Sequence, residues 1–327
     1  MAQMTRKELV RATLEGRPAD RVPVSLWGHD FLREWSPREL VAATLDSYRQ
    51  GRWDFIKFNP RATYFAEAWG NTYERPKEQR QPRPNGVTVS GPAGLSEIRP
   101  IDGRGGVFAD HLHALRLLLD EVGNEVDIIQ TLFSPLSVAA LLCGPRTEFL
   151  DYARANPAGA HSAVAAVTST LTEYAVASLA AGASGIFYAP LAWASRDTCT
   201  EDFYREFGRS YDLQLLSAIQ GAPFNVLHVC RNHNMLDFLL DYPVSAFNWA
   251  DHGEGNPSLA DIRARTSRAV MGGIDQARLH EMSPAAVKEQ AQQARAASPG
   301  CLFLSAGCAI RPDTPVANRA AVSAAAR

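Results

Sequence analysis

The sequence predicts an α/β fold, a (β/α)8 TIM barrel with a small hairpin insertion after its second strand. Three observations predict it. Eight short apolar runs, rich in β-branched and aromatic residues, recur along the 327 residues. Most are near-continuous in hydrophobicity, as parallel strands covered on both faces must be. Helical periodicity fills the stretches between them, and no run leads into the Gly-x-Gly-x-x-Gly phosphate loop that marks the alternative, an open doubly wound sheet.

In chain order the expected strands are VPVSLW (22–27), DFIKFN (54–59), VDIIQTLF (126–133), SGIFYAP (184–190), FNVLHVC (224–230), VSAFNWA (244–250), AVMGGID (269–275) and CLFLSAG (301–307). Thr5 to Glu8 reads as a capping box that opens a short amphipathic helix before the first strand. Between strands, SPRELVAATLDSYRQG, HLHALRLLLDEVG, AVAAVTSTLTEYAVASLAAG, TEDFYREFGRSYDLQLLSAIQG and SPAAVKEQAQQARA carry helix start signals, and Gly51, Gly123, Gly182 and Gly221 punctuate the ends of four of them. Residues 70–106 are polar and Pro-rich, with Asn85-Gly86 as a hairpin turn signal, and read as an insertion. Barrels of this size are single domains, so residues 1–327 are expected to form one.

With 46% apolar and 21% charged residues the chain can bury a full core. A net charge of -2 without a Lys/Arg block gives no electrostatic case for nucleic acid or an anionic membrane. Residues 162–195 carry one charge, Glu173, yet Ala-Gly-Ala-Ser-Gly at 181–185 interrupts them, which favours a buried helix and strand over a membrane span. The N-terminus lacks a signal peptide's apolar core. Five widely spaced cysteines fit free thiols in a reducing cytoplasm better than a disulfide framework.

In such a barrel the chemistry collects where strands end. The first expected strand ends in Trp27-Gly28-His29-Asp30, the second in Asn59-Pro60-Arg61, the fifth in His228-Val229-Cys230, the sixth in Asn248 through His252, and the eighth in Gly307-Cys308. His228 and Cys230 are two apart on a strand, so both side chains project to one face. Imidazole and thiolate suit zinc, and Cys308, at another strand end of the same mouth, is the natural third ligand. Three protein ligands leave one position open, as catalytic zinc requires. Packing is the competing account of the pair, because free cysteine is among the most buried residue types. Cys143, Cys199 and Cys301 are assigned to packing and His233 to a loop or helix cap. Asp251 and His252 read as exposed loop residues, or as a fourth contact or a support for a ligand imidazole.

The segments ADRVPVSLWG (19–28), His228-Val229-Cys230 and GCAIRPDTP (307–315) resemble the uroporphyrinogen decarboxylase superfamily, over nearly the whole chain. Within it they look most like the zinc-dependent, cobalamin-linked methyltransferase branch, whose signature is His-x-Cys and a distant Cys. The resemblance implies a (β/α)8 barrel, with Zn²⁺ on His228, Cys230 and Cys308. It further implies methyl transfer between a small methylated substrate or thiol and a corrinoid held by a separate protein. Two departures turn the chain away from porphyrinogen decarboxylation. No arginine pair follows the first strand, and Cys308 stands where those decarboxylases carry histidine.

On this reading His29, Asn59, Tyr188 and Asn248 line the substrate cavity, and His29, Asp30 and Tyr188 are the candidate catalytic groups. Three rival functions are a metal-free decarboxylase using Asp30 or Asp54, a corrinoid-independent thiol alkyltransferase, and a non-catalytic barrel that binds a corrinoid or tetrapyrrole. A homodimer through the barrel helices is a further expectation.

Overall fold

A computed structural model describes residues 3–144 and 146–326. Seven strands form one parallel sheet: β1 (Phe55–Phe58), β4 (Asp127–Phe133), β5 (Gly185–Ala189), β6 (Val226–Val229), β7 (Ala246–Trp249), β8 (Ala269–Ile274) and β9 (Leu302–Ala306), neighbours in that order. Each lies inside one of the apolar runs, and almost every strand residue is buried. The sheet curls with helices outside it, in the manner of a TIM-like barrel. The first expected strand is irregular. Residues 22–28 make only isolated parallel bridges, Val24 with Leu304 and Gly28 with Ile310. They nonetheless touch both edges of the sheet, because Asp54 N–H donates to Val24 O at 2.8 Å and Leu304 N–H donates to Pro23 O at 2.8 Å. Proline at 23 removes one ladder donor, which suits a seam better than a central strand.

The remaining pair, β2 (Thr72–Glu74) and β3 (Arg83–Gly86), is antiparallel and lies in the 70–106 segment. Asn85-Gly86 does not form its turn, as the sequence suggested. Gly86 pairs with Thr72 instead, and a Cβ there would meet Thr72 Oγ1 at 2.8 Å, so glycine serves close approach.

Helix starts follow the sequence signals. Ser36 caps Pro37–Gly51, Asn156 caps Pro157–Ala180 and Ser283 caps Pro284–Ala297, each with proline in the first turn. Thr5 and Glu8 form a capping box on Arg6–Leu14. Among the described residues, Pro157–Ala180 alone is long and apolar enough to cross a membrane, and 61% of its most apolar stretch is buried inside the protein.

The strand starts and strand ends differ in chemistry. Near the starts, Phe55, Phe224 and Phe303 pack ring against ring with centroids 5.1–5.5 Å apart and plug the interior. Two residues on from Phe55 is Lys57, and four on from Phe224 is His228. The interior therefore changes from aromatic to polar within one turn of the pleat.

Candidate functional site

His228 is 4% exposed and both its ring nitrogens have partners. Nδ1 lies 2.5 Å from Asn248 Oδ1. The amide nitrogen of Asn248 donates to Met271 O at 2.9 Å and Ala306 O at 3.2 Å, which turns its oxygen toward the imidazole. Nδ1 must then carry the ring proton, and Nε2 presents a lone pair. That lone pair faces Cys308 Sγ at 3.5 Å. Phe187 stacks on the ring, centroids 5.0 Å apart, and fixes its plane.

Cys230 completes the group. Its S–H is donated to Cys308, and this pushes the Cys308 thiol well below its ordinary range while the same bond and burial push Cys230 well above. The two thiols act on each other rather than titrating independently.

Among the described residues no three His, Cys, Asp or Glu side chains form a finished metal cage. The donor set nevertheless fits one. Zn–N near 2.0 Å and Zn–S near 2.3 Å at tetrahedral angles place the two donor atoms about 3.5 Å apart. The Nε2 to Sγ separation has that value already. A second-sphere hydrogen bond that fixes the free nitrogen of a ligand histidine is also present, from Asn248.

Cys308 leads into Ile310, whose N–H donates to Trp27 O at 2.9 Å. Gly28 lets this loop close in, since a Cβ there would meet Ile310 O at 2.9 Å. A cavity of about 470 Å³ opens on the other side of this contact, lined in part by Trp27, His29, Glu34, Lys57, Asn59 and Ile310. Its wall does not include the three sulfur and imidazole donors. Lys57 lies between the two places, within electrostatic reach of both Cys308 and Glu34. Burial dominates there and brings Lys57 down to about 7, against the opposing pull of Cys308 and Glu34. The ammonium lies 4.8 Å from the Phe187 ring centroid and 5.7 Å from that of Trp27, and donates to Asn59 Oδ1.

The other sequence candidates separate clearly. His29 lines the cavity, with Nδ1 held 2.8 Å from Glu34 Oε1 and its ring stacked on Phe31 at 4.9 Å. Asn59 also lines it, anchored by a 2.9 Å bond to Gly28 O. Asp30 stands at the wall with Arg33 at 2.7 Å and Gln79 at 2.8 Å. Burial raises its carboxyl, but these two donors more than offset that and hold it below the usual range.

Four expectations are corrected. Tyr188 does not line the cavity. It is fully buried on the helix side of β5, with its hydroxyl 2.5 Å from Asp212 on helix Ser210–Ile219. Phe187, one residue earlier, faces the interior instead. Asn248 is fully buried behind His228 and supports that ring rather than a substrate. Asp54 precedes β1 at the strand-start end, where it is 1% exposed, binds Arg21 at 2.5 and 2.6 Å and accepts from Val24 N–H. Its oxygens are engaged at the wrong end of the barrel for acid–base work. Asp251 and His252 support no ligand imidazole, because they bond to Gly273, by its N–H at 3.0 Å and its carbonyl at 3.3 Å. Asp251 is also buried rather than exposed, and burial pushes its carboxyl up to about 6.

His233 bonds Asp197 at 2.9 Å in a loop, and Cys143, Cys199 and Cys301 are buried. All five cysteines are free. Lys57 and Glu34 were missed. Lys57 left a signal, as the lone charge inside the apolar run FIKF, whereas Glu34 lies in an irregular loop without one.

The fold is a TIM-like α/β one, and two thiols and an imidazole gather at its strand ends. The chain belongs to the uroporphyrinogen decarboxylase (URO-D) family, whose profile matches residues 5–327. Within that family it groups with methyltransferases. It is 26% identical over 350 residues to Methylcobamide:CoM methyltransferase MtaA of Methanosarcina barkeri, covering 99% of this chain and 98% of the relative. The protein of the same name from Methanosarcina barkeri (strain Fusaro / DSM 804) is 26% identical over 348 residues, with the same coverage. In fold, the chain is similar to a methyltransferase from Methanosarcina mazei, with TM-score 0.83 and 22% identity over 99% of this chain and 98% of that one. A B12-independent methionine synthase from Shewanella sp. shares the fold more distantly, with TM-score 0.60 and 13% identity over 93% and 94%.

Proposed function

We propose that this protein is a zinc-dependent methyltransferase that moves a methyl group between a thiol or small methylated substrate and a corrinoid carrier supplied by a partner protein. One observation carries the reading: the Nε2 lone pair of His228 meets Cys308 Sγ at 3.5 Å, the separation of two donors on one zinc ion. His228, Cys230 and Cys308 would hold the ion. Zinc so bound makes a coordinated thiol a nucleophile at neutral pH, or acts as a Lewis acid on a heteroatom bearing methyl.

The chain's own residues do the rest. Asn248 keeps the proton on Nδ1, so Nε2 stays available as a donor. Phe187 holds the imidazole plane. Cys230 and Cys308 act on each other, so both sulfurs are placed to serve one ion as thiolates. The cavity walled by Trp27, His29, Asn59 and Lys57 receives the small substrate beside this group. Residues 22–28, bonded to both sheet edges, act as the eighth stave of a single (β/α)8 domain. The full-length match to enzymes named for methylcobamide supports the corrinoid as the other party. Five free thiols support a reducing, cytoplasmic setting.

The test is a transfer assay. Protein stripped with a chelator and protein reconstituted with zinc are each given methylcobalamin and a panel of small thiols, including 2-mercaptoethanol, homocysteine and mercaptoethanesulfonate. The reading expects cobalamin demethylation that depends on zinc and on Cys308. Turnover unaffected by metal removal or by Cys308→Ser would overturn it.

A further inference from the structure

Two opposite charges face the same cavity, and neither is satisfied by the protein. Glu34 is 2% exposed, and its Oε1 accepts from Asp30 N–H at 2.9 Å and bonds His29 Nδ1 at 2.8 Å. Its Oε2 is buried without any hydrogen-bond partner. Lys57 is 7% exposed and has Asn59 Oδ1 as its hydrogen-bond acceptor, so its ammonium keeps donors to spare. Glu34 lies within electrostatic reach of Lys57, yet among the described residues no ion pair joins them. Burying a charge without a partner is costly, and native structures keep such an arrangement where a ligand completes it. Most other charges around the cavity are engaged, Arg319 excepted. Arg33 holds Asp30 and Asp46, and Arg311 holds Asp313.

We propose that Lys57 and Glu34 are the two poles of a subsite for a zwitterionic substrate end, an α-amino acid whose side chain carries the thiol or thioether sulfur. Its carboxylate would take the spare donors of Lys57, and its ammonium the free Oε2 of Glu34. An anion alone would meet Glu34, and a cation alone would meet Lys57, so each pole rejects what the other attracts. Trp27, beside the ammonium, supplies an apolar wall for the methylene stem. The inference rests on the methyl-transfer reading for the role of the sulfur, but the charge pairing stands on its own geometry.

Isothermal titration calorimetry on the full-length protein, metal-free and zinc-loaded, tests it with three probes. L-methionine has both poles, methioninol lacks the carboxylate and methylthiobutyrate lacks the ammonium. L-methionine is expected to bind about 10- to 100-fold more tightly than either analogue, the worth of one charged hydrogen bond. Lys57→Met should erase the preference over methioninol alone, and Glu34→Gln the preference over methylthiobutyrate alone. This analogue series needs no variant, so it decides the matter even if a substitution prevents folding. Equal binding of all three probes overturns the proposal, as does absence of binding. So does a carboxylate preference lost in Arg319→Gln but kept in Lys57→Met, since Arg319 has a buried, unpartnered Nε at the same cavity. A protein that fails to retain zinc while still ranking the probes in this order would sink the methyl-transfer reading and leave the subsite standing.

Discussion

The barrel holds two buried polar clusters of similar size and opposite character. Outside the sheet, Asp212 collects three phenols, with Tyr188 and Tyr204 at 2.5 Å and Tyr242 at 2.8 Å. Inside it, His228 meets Cys308 and the Cys230 and Cys308 thiols act on each other. The Asp212 cluster is saturated, since both carboxylate oxygens are engaged and every phenol has found its acceptor. The sulfur–imidazole cluster keeps a lone pair and two sulfurs that a further atom could use. A saturated network ties a helix to a sheet, whereas an open one binds something. Burial alone does not distinguish them.

That contrast can be broken by substitution, and the largest effect belongs inside the barrel. Cys308→Ser should reduce methyl transfer to background and abolish zinc retention, while the thermal midpoint of the metal-free protein hardly moves. Asp212→Ala should do the reverse. Three buried hydroxyls lose their acceptor at roughly 1–3 kcal/mol each, so unfolding in urea should show a loss of roughly 3 kcal/mol or more, with zinc content unchanged in the folded fraction. If Asp212→Ala instead destroyed zinc binding at full stability, the division of labour between the clusters would be wrong.

Asn248→Ala sharpens the comparison at an intermediate scale. Its bond to Nδ1 sets the His228 tautomer, and loss of such a support costs about 10- to 100-fold in metal affinity. Competition with a chromophoric chelator measures this. An unchanged affinity would make Asn248 mere packing.

The smallest effect is a pH slope. Burial raises the Asp212 carboxyl to about 6, above its ordinary 3.8, although the three phenols and Arg209 pull it down. Between these values the folded state binds more protons than the unfolded chain, so this group's contribution to stability falls as pH rises from about 4 to about 6 and is level above. The difference between wild type and Asp212→Asn, followed by denaturant unfolding across that range, should show that slope. A flat difference would mean the carboxylate is ionised throughout.

Much of the architecture was legible because strands buried on both faces leave continuous apolar runs, and all seven sheet strands lie within such runs. The same property hides which face a side chain occupies. Tyr188 and Phe187 are adjacent, equally apolar in context and equally buried, yet one meets Asp212 and the other His228. Only the pleat's parity against neighbouring strands separates them, and the sequence alone does not reveal that parity. His228 and Cys230 escaped the ambiguity because the spacing of two guarantees a shared face, whichever it is. Cys308 was reachable because all parallel strands end at one mouth. Glu34 was not, since a loop carboxylate becomes informative only when its second oxygen proves to be buried and unpaired.

X-ray absorption at the zinc edge of protein purified with zinc bears most directly on the central claim. One ion per chain with a first shell of two sulfurs and one imidazole nitrogen, the remaining position taken by a light atom or an added thiol, is the predicted spectrum. A shell without sulfur, four sulfurs, or no bound zinc at all would contradict it.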